Sequence, residues 1–282
     1  MTIGEIHKKY ITALQNIYVE GEAIAVTNIA FENILNITKQ NIITNADEIL
    51  DEKIEVKLND TLVKLLHHEP IQYVVGNAWF YNLNFIVNNA VLIPRPETEE
   101  LVYEAMNFLK NNDGKNVLDI GTGSGCIPIS IKKNIPSVNV HALDVSAAAI
   151  SVAKENSIKN NVEINFMELD FLSEQNFIQL EKYDLIISNP PYIPNTETLD
   201  KNVVNYEPHL ALFVPENDAL IFYKKIVVFA ENHLEYDGKI MLEVHENLAK
   251  ETAALFSNNN YEVKIKEDMQ GKERMLIIGR FH

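Results

Sequence analysis

Over the first 68 positions apolar residues recur mostly three or four apart. They are Ile6, Tyr10, Ile11 and Leu14, then Ile29, Phe31, Ile34 and Leu35, then Ile54, Val56, Leu62, Val63 and Leu66. Such spacing stacks apolar side chains on one face of each of several helices and predicts a small helical bundle with an acidic, solvated exterior. Thr27 is the expected N-cap of the second helix and Asp60 that of the last. The period then changes. Trp79-Phe80-Tyr81 and Asn84-Phe85-Ile86-Val87 stand on either side of Asn82-Leu83, as two short strands flank the turn of a β-hairpin. Glu97 to Leu109 returns to a helical pattern, with Pro96 near its start.

From Lys115 onward short apolar runs alternate with helical stretches. Strands are expected at Lys115–Ile120, His141–Leu143, Glu163–Met167, Tyr183–Ser188 and Lys239–Val244. A closing pair lies around Tyr261–Ile265 and Arg274–Gly279. Helices are expected from Cys126, near Ala219–His233 and near Leu248–Phe256. That alternation implies an α/β domain built on a mostly parallel sheet with both faces covered. The chain thus divides into a helical segment (1–68), a β-hairpin linker (69–95) and an α/β domain (96–282).

Composition narrows this picture. A chain of 282 residues with 46% hydrophobic residues can bury a full core. Its one cysteine, Cys126, excludes an intramolecular disulfide framework. Beside the glycine loop it reads as a small buried residue, not a reactive thiol. No apolar run approaches the ~20 residues of a membrane span. Met1 to His7 lacks the basic and apolar regions of a signal peptide, so a cytoplasmic location is expected. The net charge of −16 opposes a dedicated nucleic-acid binder. The eight histidines show no metal-ligand spacing, and none of them is expected to hold a metal. His67 and His68 are expected at a helix end, facing solvent.

The chemistry lies at the carboxyl ends of the expected strands. Lys115–Ile120 runs into Gly121-Thr122-Gly123-Ser124-Gly125 and then a buried helix from Cys126. Strand, glycine loop and helix open a nucleotide-binding βαβ unit, where glycines let the backbone pass close to a ligand. The spacing is Gly-x-Gly-x-Gly, and Asp119 sits just before it. A carboxylate there repels a pyrophosphate and suits a cationic or amine-bearing ligand such as S-adenosylmethionine. Asp144, one strand on, is placed to accept from ribose hydroxyls. Asp170 and Phe171, after the next, suit an adenine, by its amine and its face. Tyr183–Ser188 ends in Asn189-Pro190-Pro191-Tyr192. Two prolines cannot extend a ladder, but they stiffen a loop. Carbonyl acceptors on Asn189 and Pro190, beside the flat Tyr192, suit a planar –NH₂ group.

With these strand ends the chain resembles the class I S-adenosylmethionine-dependent methyltransferases, whose Asn-Pro-Pro-Tyr members methylate planar nitrogens. Glu69-Pro70-Ile71-Gln72-Tyr73-Val74-Val75-Gly76 before Trp79-Phe80, and Val91-Leu92-Ile93-Pro94-Arg95-Pro96-Glu97-Thr98-Glu99, narrow the resemblance. Asn205-Tyr206-Glu207-Pro208 with Leu210-Ala211-Leu212, Phe222-Tyr223 and Gly271-Lys272-Glu273-Arg274 extend it. From about Leu62 onward the sequence is similar to the protein-(glutamine-N5) methyltransferases of peptide chain release factors, the HemK family. One departure stands at Leu242-Glu243-Val244-His245-Glu246-Asn247, where many members read Leu-Glu-x-Gly-x-x-Gln.

The resemblance implies a Rossmann-like domain whose parallel sheet ends in an antiparallel hairpin. It implies methyl transfer from S-adenosylmethionine, leaving S-adenosylhomocysteine, to the side-chain amide of the glutamine in a Gly-Gly-Gln loop of class I release factors. Asp119, Gly121, Thr122, Gly123, Ser124, Gly125, Asp144, Asp170, Phe171 and Asn189 would hold the donor. Asn189, Pro190, Pro191 and Tyr192 would hold the amide and carry catalysis. The helical segment 1–68 would grip the protein substrate, with no direct nucleic-acid or membrane partner. A nucleic-acid amino methyltransferase of the N6-adenine type is the alternative. An amide nitrogen is a weak nucleophile because its lone pair is delocalised, so positioning is the main lever. Asn189→Asp keeps acceptor oxygens and is expected, from sequence, to retain more activity than Asn189→Ala.

Overall fold

Five helices occupy the first 75 residues: α1 (Ile3–Leu14), α2 (Glu20–Leu35), α3 (Lys39–Thr44), α4 (Glu52–Leu66) and α5 (Ile71–Val75). The structure is a computed structural model and describes residues 1–110, 114–194 and 201–281. Ile6, Tyr10, Leu14, Phe31, Leu58 and Leu65 form a core that excludes water. The Tyr10 and Phe31 rings meet edge to face at 5.2 Å. Thr2 opens α1 with a reciprocal cap: its hydroxyl accepts from Glu5 N, and the Glu5 carboxylate accepts from Thr2 N.

Thr27 and Asp60 are not caps. Thr27 is buried in the middle of α2, donating its hydroxyl to the Ala23 carbonyl at 2.7 Å. Asp60 lies inside α4, whose cap is Asp51, accepting from Lys53 N. Buried alanines extend α2 toward its start, and alanine adds little to an apolar pattern, so the helix begins earlier than its large residues suggest. His67 is the exposed C-cap of α4, and His68 beside it is half-buried.

Next come β1 (Asn77–Phe80), β2 (Leu83–Ile86), α6 (Pro96–Leu109), β3 (Asn116–Ile120), α7 (Cys126–Asn134), β4 (Asn139–Asp144), α8 (Ala147–Lys159) and β5 (Asn165–Glu168). A 3₁₀ turn at Glu174–Gln179 leads to β6 (Tyr183–Ser188) and β7 (Ile193–Pro194). They are followed by α9 (Lys201–Tyr206), α10 (His209–Leu212), β8 (Phe213–Val214), α11 (Ile221–His233), β9 (Leu234–Glu243), α12 (Ala249–Ser257), β10 (Tyr261–Glu267) and β11 (Glu273–Arg280). Contacts divide the chain into two units. Met1–Asn77 with α9 is one; the remaining described chain is the other. Within the first, Tyr206 donates its hydroxyl to the His67 carbonyl at 2.8 Å.

The hairpin turn falls at Tyr81-Asn82, one residue before the expected pair. Both residues take positive φ, 47° and 59°, the geometry a two-residue hairpin turn needs. The hairpin is also more than a linker. Phe80 and Phe85 are buried in the same core as Leu101, Val102 and Val117, and so belong to the second unit.

The seven-stranded sheet runs β10-β11-β9-β6-β3-β4-β5. Neighbours from β9 to β5 are parallel; β11 pairs antiparallel with β9 and β10. One face packs Leu118, Ile120 and Ile186 against α11 and α12, and the other packs Val117, Leu185 and Ile187 against α6 and α7. From β3 the chain order proceeds outward to β4 and β5 on one side and returns to β6 on the other. Such a switch point opens a crevice at the carboxyl ends of the strands.

Candidate active site

At that crevice the backbone builds a glycine cradle. Gly121, Gly123 and Gly125 all take positive φ. A Cβ on Gly121 or Gly123 would meet no atom of the described residues within 4 Å, so open space lies beside both. A Cβ on Gly125 would instead meet Ile129 Cδ1 at 2.9 Å; this glycine seats α7 against its neighbours. The loop is tied to β4, because Gly121 N and Thr122 N both donate to the Leu143 carbonyl at 2.9 Å.

Asp144 ends β4. One carboxylate oxygen accepts from Gly123 N and the other from Ser146 N, each at 2.9 Å. Burial raises its pKa against the pull of these amides. Asp119 is fully buried, and among the described residues neither of its oxygens meets a partner in good hydrogen-bond geometry, with the Thr122 hydroxyl the nearby polar group. Burial pushes the Asp119 carboxyl up to about 7; the nearby Thr122 hydroxyl opposes the shift and the Asp144 charge adds to it. A buried acid beneath a glycine loop is costly to folding when ionised. Burial pushes the Cys126 thiol up to about 12, in keeping with an inert buried residue.

A cavity of about 360 Å³ opens here, within the usual range for a small-molecule site. Gly121, Gly123, Asp144, Asn189 and Pro191 line it, with Val91, Leu92, Pro208, Leu210 and Phe222 as its apolar walls. Thr122 and Ser124 line a smaller recess that shares Gly121, Gly123 and Asn189. The structure does not bring Asp170 or Phe171 into the cavity. Asp170 is exposed and accepts from Leu172 N. Phe171 is buried in the core, its ring 5.1 Å from Phe177 and 5.4 Å from Phe229. Packing three aromatic rings together claims more apolar area than a solvent-facing wall would.

Pro190 is buried, and Tyr192 is half-buried behind the cavity. The Tyr192 hydroxyl donates to Glu243 Oε1 at 3.3 Å, and its ring lies 5.8 Å from His245. The Asn189 carboxamide donates through Nδ2 to Thr98 Oγ1 at 3.1 Å. Thr98 in turn donates to Glu243 Oε2 at 2.6 Å. Burial raises the Glu243 carboxyl to about 6, opposed by the Thr98 bond and the Arg274 charge.

Three supports were not singled out in the sequence. Glu207, 3% exposed, accepts from Ile93 N at 3.1 Å and pairs with Arg95 at 2.5 Å, holding the 91–95 loop over the cavity. Asn156 accepts from Ile86 N and donates to the carbonyls of Ile86 and Ser124, so one buried carboxamide clips the hairpin to the glycine loop. Ser188 donates to the Ile120 carbonyl at 2.6 Å, joining β6 to β3. The only signals were that Glu207 sits in Asn205–Pro208 and Thr98 in Pro94–Glu99. A serine or asparagine inside an apolar run carries no mark of its partner. The departure at His245-Glu246-Asn247 is tied to the Gly271–Arg274 stretch, where Glu246 pairs with Lys272 at 3.0 Å.

Comparison with known proteins adds to this geometry. The methyltransferase small domain family matches residues 103–206, and the PrmC N-terminal domain family matches residues 5–76. A release factor glutamine methyltransferase of Flavobacterium psychrophilum is 40% identical over 99% of this chain and 99% of its own length. That of Bacteroides thetaiotaomicron is 38% identical over 95% and 96%. Among solved structures, a methyltransferase from Pyrococcus furiosus superposes with a TM-score of 0.50 at 20% identity, covering 78% of this chain and 97% of that one; this likeness is one of fold.

Proposed function

The chain belongs to the release factor glutamine methyltransferase family, and we propose that its strand-end cavity holds the methyl donor while Asn189-Pro190-Pro191-Tyr192 presents the glutamine amide. The enzyme transfers a methyl group from S-adenosylmethionine to the side-chain amide nitrogen of a glutamine in a peptide chain release factor. When bound, the donor supplies a methyl carbon on a sulfonium, open to in-line displacement.

The residues present fit that donor. Open space beside Gly121 and Gly123 admits a ligand against the backbone. Asp144 keeps lone pairs for ribose hydroxyls beyond its two amide bonds. Asp144 at the cavity wall, joined by the buried Asp119 when it is ionised, gives the site a negative potential suited to a sulfonium and an ammonium. Leu92, Leu210 and Phe222 give the cavity an apolar wall.

One observation carries the reading of the acceptor. The Asn189 Nδ2 is already committed to Thr98, so its Oδ1 is the end left to accept from a substrate –NH₂ at the cavity. The Pro190 carbonyl is the second acceptor. As positive charge builds on the nitrogen, both bonds strengthen, which favours the transition state over the ground state. Pro191 stiffens the loop, and Tyr192 backs it through Glu243. Holding the amide nitrogen in place toward the donor would be the main lever on the rate. The proton leaves after transfer, to water.

The N-terminal unit, with its own core, grips the release factor, and the reaction takes place in the cytoplasm. The net charge of −16 favours a protein over a nucleic acid as substrate. Mass spectrometry of a release factor, and in parallel of DNA and RNA, each incubated with the enzyme and S-adenosylmethionine, tests the reading. One added methyl on a glutamine is expected. A methyl on DNA or RNA, with none on the protein, refutes it.

A further inference from the structure

Thr98 lies in the first turn of α6, and a hydroxyl there ordinarily serves its own helix. This one does not. It is 2% exposed, and it points away to accept from Asn189 Nδ2 at 3.1 Å and donate to Glu243 Oε2 at 2.6 Å. Glu243 ends β9 one residue beyond Leu242, which pairs with Ser188, so it comes level with Asn189. It is 2% exposed. Its other oxygen accepts from Tyr192, and its backbone carbonyl accepts from the Tyr223 hydroxyl at 3.1 Å.

The direction of this chain of bonds is fixed by chemistry. A carboxylate accepts and does not donate. The single Thr98 hydrogen therefore goes to Glu243, and only lone pairs of Oγ1 remain for Asn189. A carboxamide has one donating and one accepting end, nearly equal in shape. Facing a lone pair, it must turn its –NH₂ to Thr98 and its oxygen away. A flipped Asn189 would set oxygen against oxygen and offer the substrate a donor where an acceptor is needed.

We infer that Thr98 and Glu243 are positioning residues that set the polarity of the Asn189 carboxamide, holding its oxygen toward the glutamine –NH₂. The inference rests on the reading of Asn189 as the amide acceptor, and its test keeps the two apart. The steady-state rate of methyl transfer to a release factor and the affinity for S-adenosylmethionine are measured for Thr98→Val, Thr98→Ser, Glu243→Gln, Asn189→Ala and the Thr98→Val/Asn189→Ala pair. Valine matches threonine in shape but lacks the hydroxyl. It should lower kcat by about 10–100-fold, up to the ~10²-fold that a small misplacement of a reacting group costs, with cofactor affinity within about twofold. Serine restores the hydroxyl and should recover kcat to within a few-fold. Glutamine can donate as well as accept, so Glu243→Gln frees the chain to run either way and should slow turnover. With Asn189 already alanine, Thr98→Val should cost less than about twofold more.

A Thr98→Val enzyme with normal kcat, beside an impaired Asn189→Ala, overturns the polarity role and leaves the amide acceptor standing. So does a serine variant as slow as valine, or an equal Thr98→Val penalty in both backgrounds, which marks a purely structural threonine. A normal kcat for Asn189→Ala itself overturns the acceptor reading and the inference with it.

Discussion

Replacing Asn189 by aspartate tests the site most sharply, because sequence and structure expect different results. From sequence, aspartate keeps its acceptor oxygens and should outperform alanine. In the structure the Asn189 –NH₂ faces Thr98 Oγ1 at 3.1 Å, and Thr98 faces Glu243 at 2.6 Å. An ionised aspartate would set an oxygen where the –NH₂ stood, within about 6 Å of a buried carboxylate. At an effective dielectric of about 20, the repulsion between the two charges is about 3 kcal/mol. Either the loop shifts or one proton is taken up and shared by the pair. The protonated pair can restore the wild-type polarity, with the aspartic acid hydroxyl donating to Thr98. Repulsion raises the pair's pKa, so the active, protonated form is lost as pH rises through that raised value. The ratio of variant to wild-type kcat/KM, measured between pH 6 and 9, should therefore fall with pH. At the top of the range it should reach about 10⁻², the factor that 3 kcal/mol corresponds to. A ratio that is flat or rises with pH would refute the reasoning.

Asn189→Ala should cost about 10²–10³ in turnover, like the loss of an oriented oxyanion-hole group, with calorimetric affinity for S-adenosylmethionine much less changed. Asp144→Ala should weaken that affinity by about 1.5–3 kcal/mol; unchanged binding in a folded variant removes Asp144 from the donor site. The Asp119 carboxyl titrates near 7 when folded, above its ordinary value of 3.8. The folded state thus holds this proton more tightly than the unfolded one, so stability is lost as pH rises from about 4 to 7. Melting of Asp119→Asn and wild type should diverge in the variant's favour between pH 5 and pH 8, and an equal gap at both values contradicts the buried, unpaired acid. A chain lacking residues 1–68 should keep cofactor binding but methylate a whole release factor poorly; full-rate methylation by a folded truncation removes substrate gripping from the N-terminal unit.

The sequence by itself determined the main elements and their order, though not the short β7–β8 pair or the short helices α3, α5, α9 and α10. Apolar period, prolines and glycines act within a few residues, and they sufficed to set the bundle, the hairpin and the alternating strands and helices. They also put Gly121, Gly123, Asp144 and Asn189 at successive strand ends, since any parallel sheet of this order brings those ends together. Only the tertiary structure decided which side chains meet. Thr98 and Glu243 stand 145 positions apart and join Asn189 because α6 packs on the face of the sheet that β9 completes. Asn156 clips Ile86 to Ser124 because α8 packs beside the hairpin and α7. Phe171 looked from sequence like a cavity wall and became core, because a loop's local pattern does not say which way its aromatic turns. Thr27 and Asp60 looked like caps and lie inside helices, because a hydroxyl or carboxylate reads alike in either place. Local conformation is settled by short-range sterics and periodicity. A hydrogen-bonded partnership across the sheet is settled by how two distant surfaces pack, and no stretch of neighbouring residues encodes it.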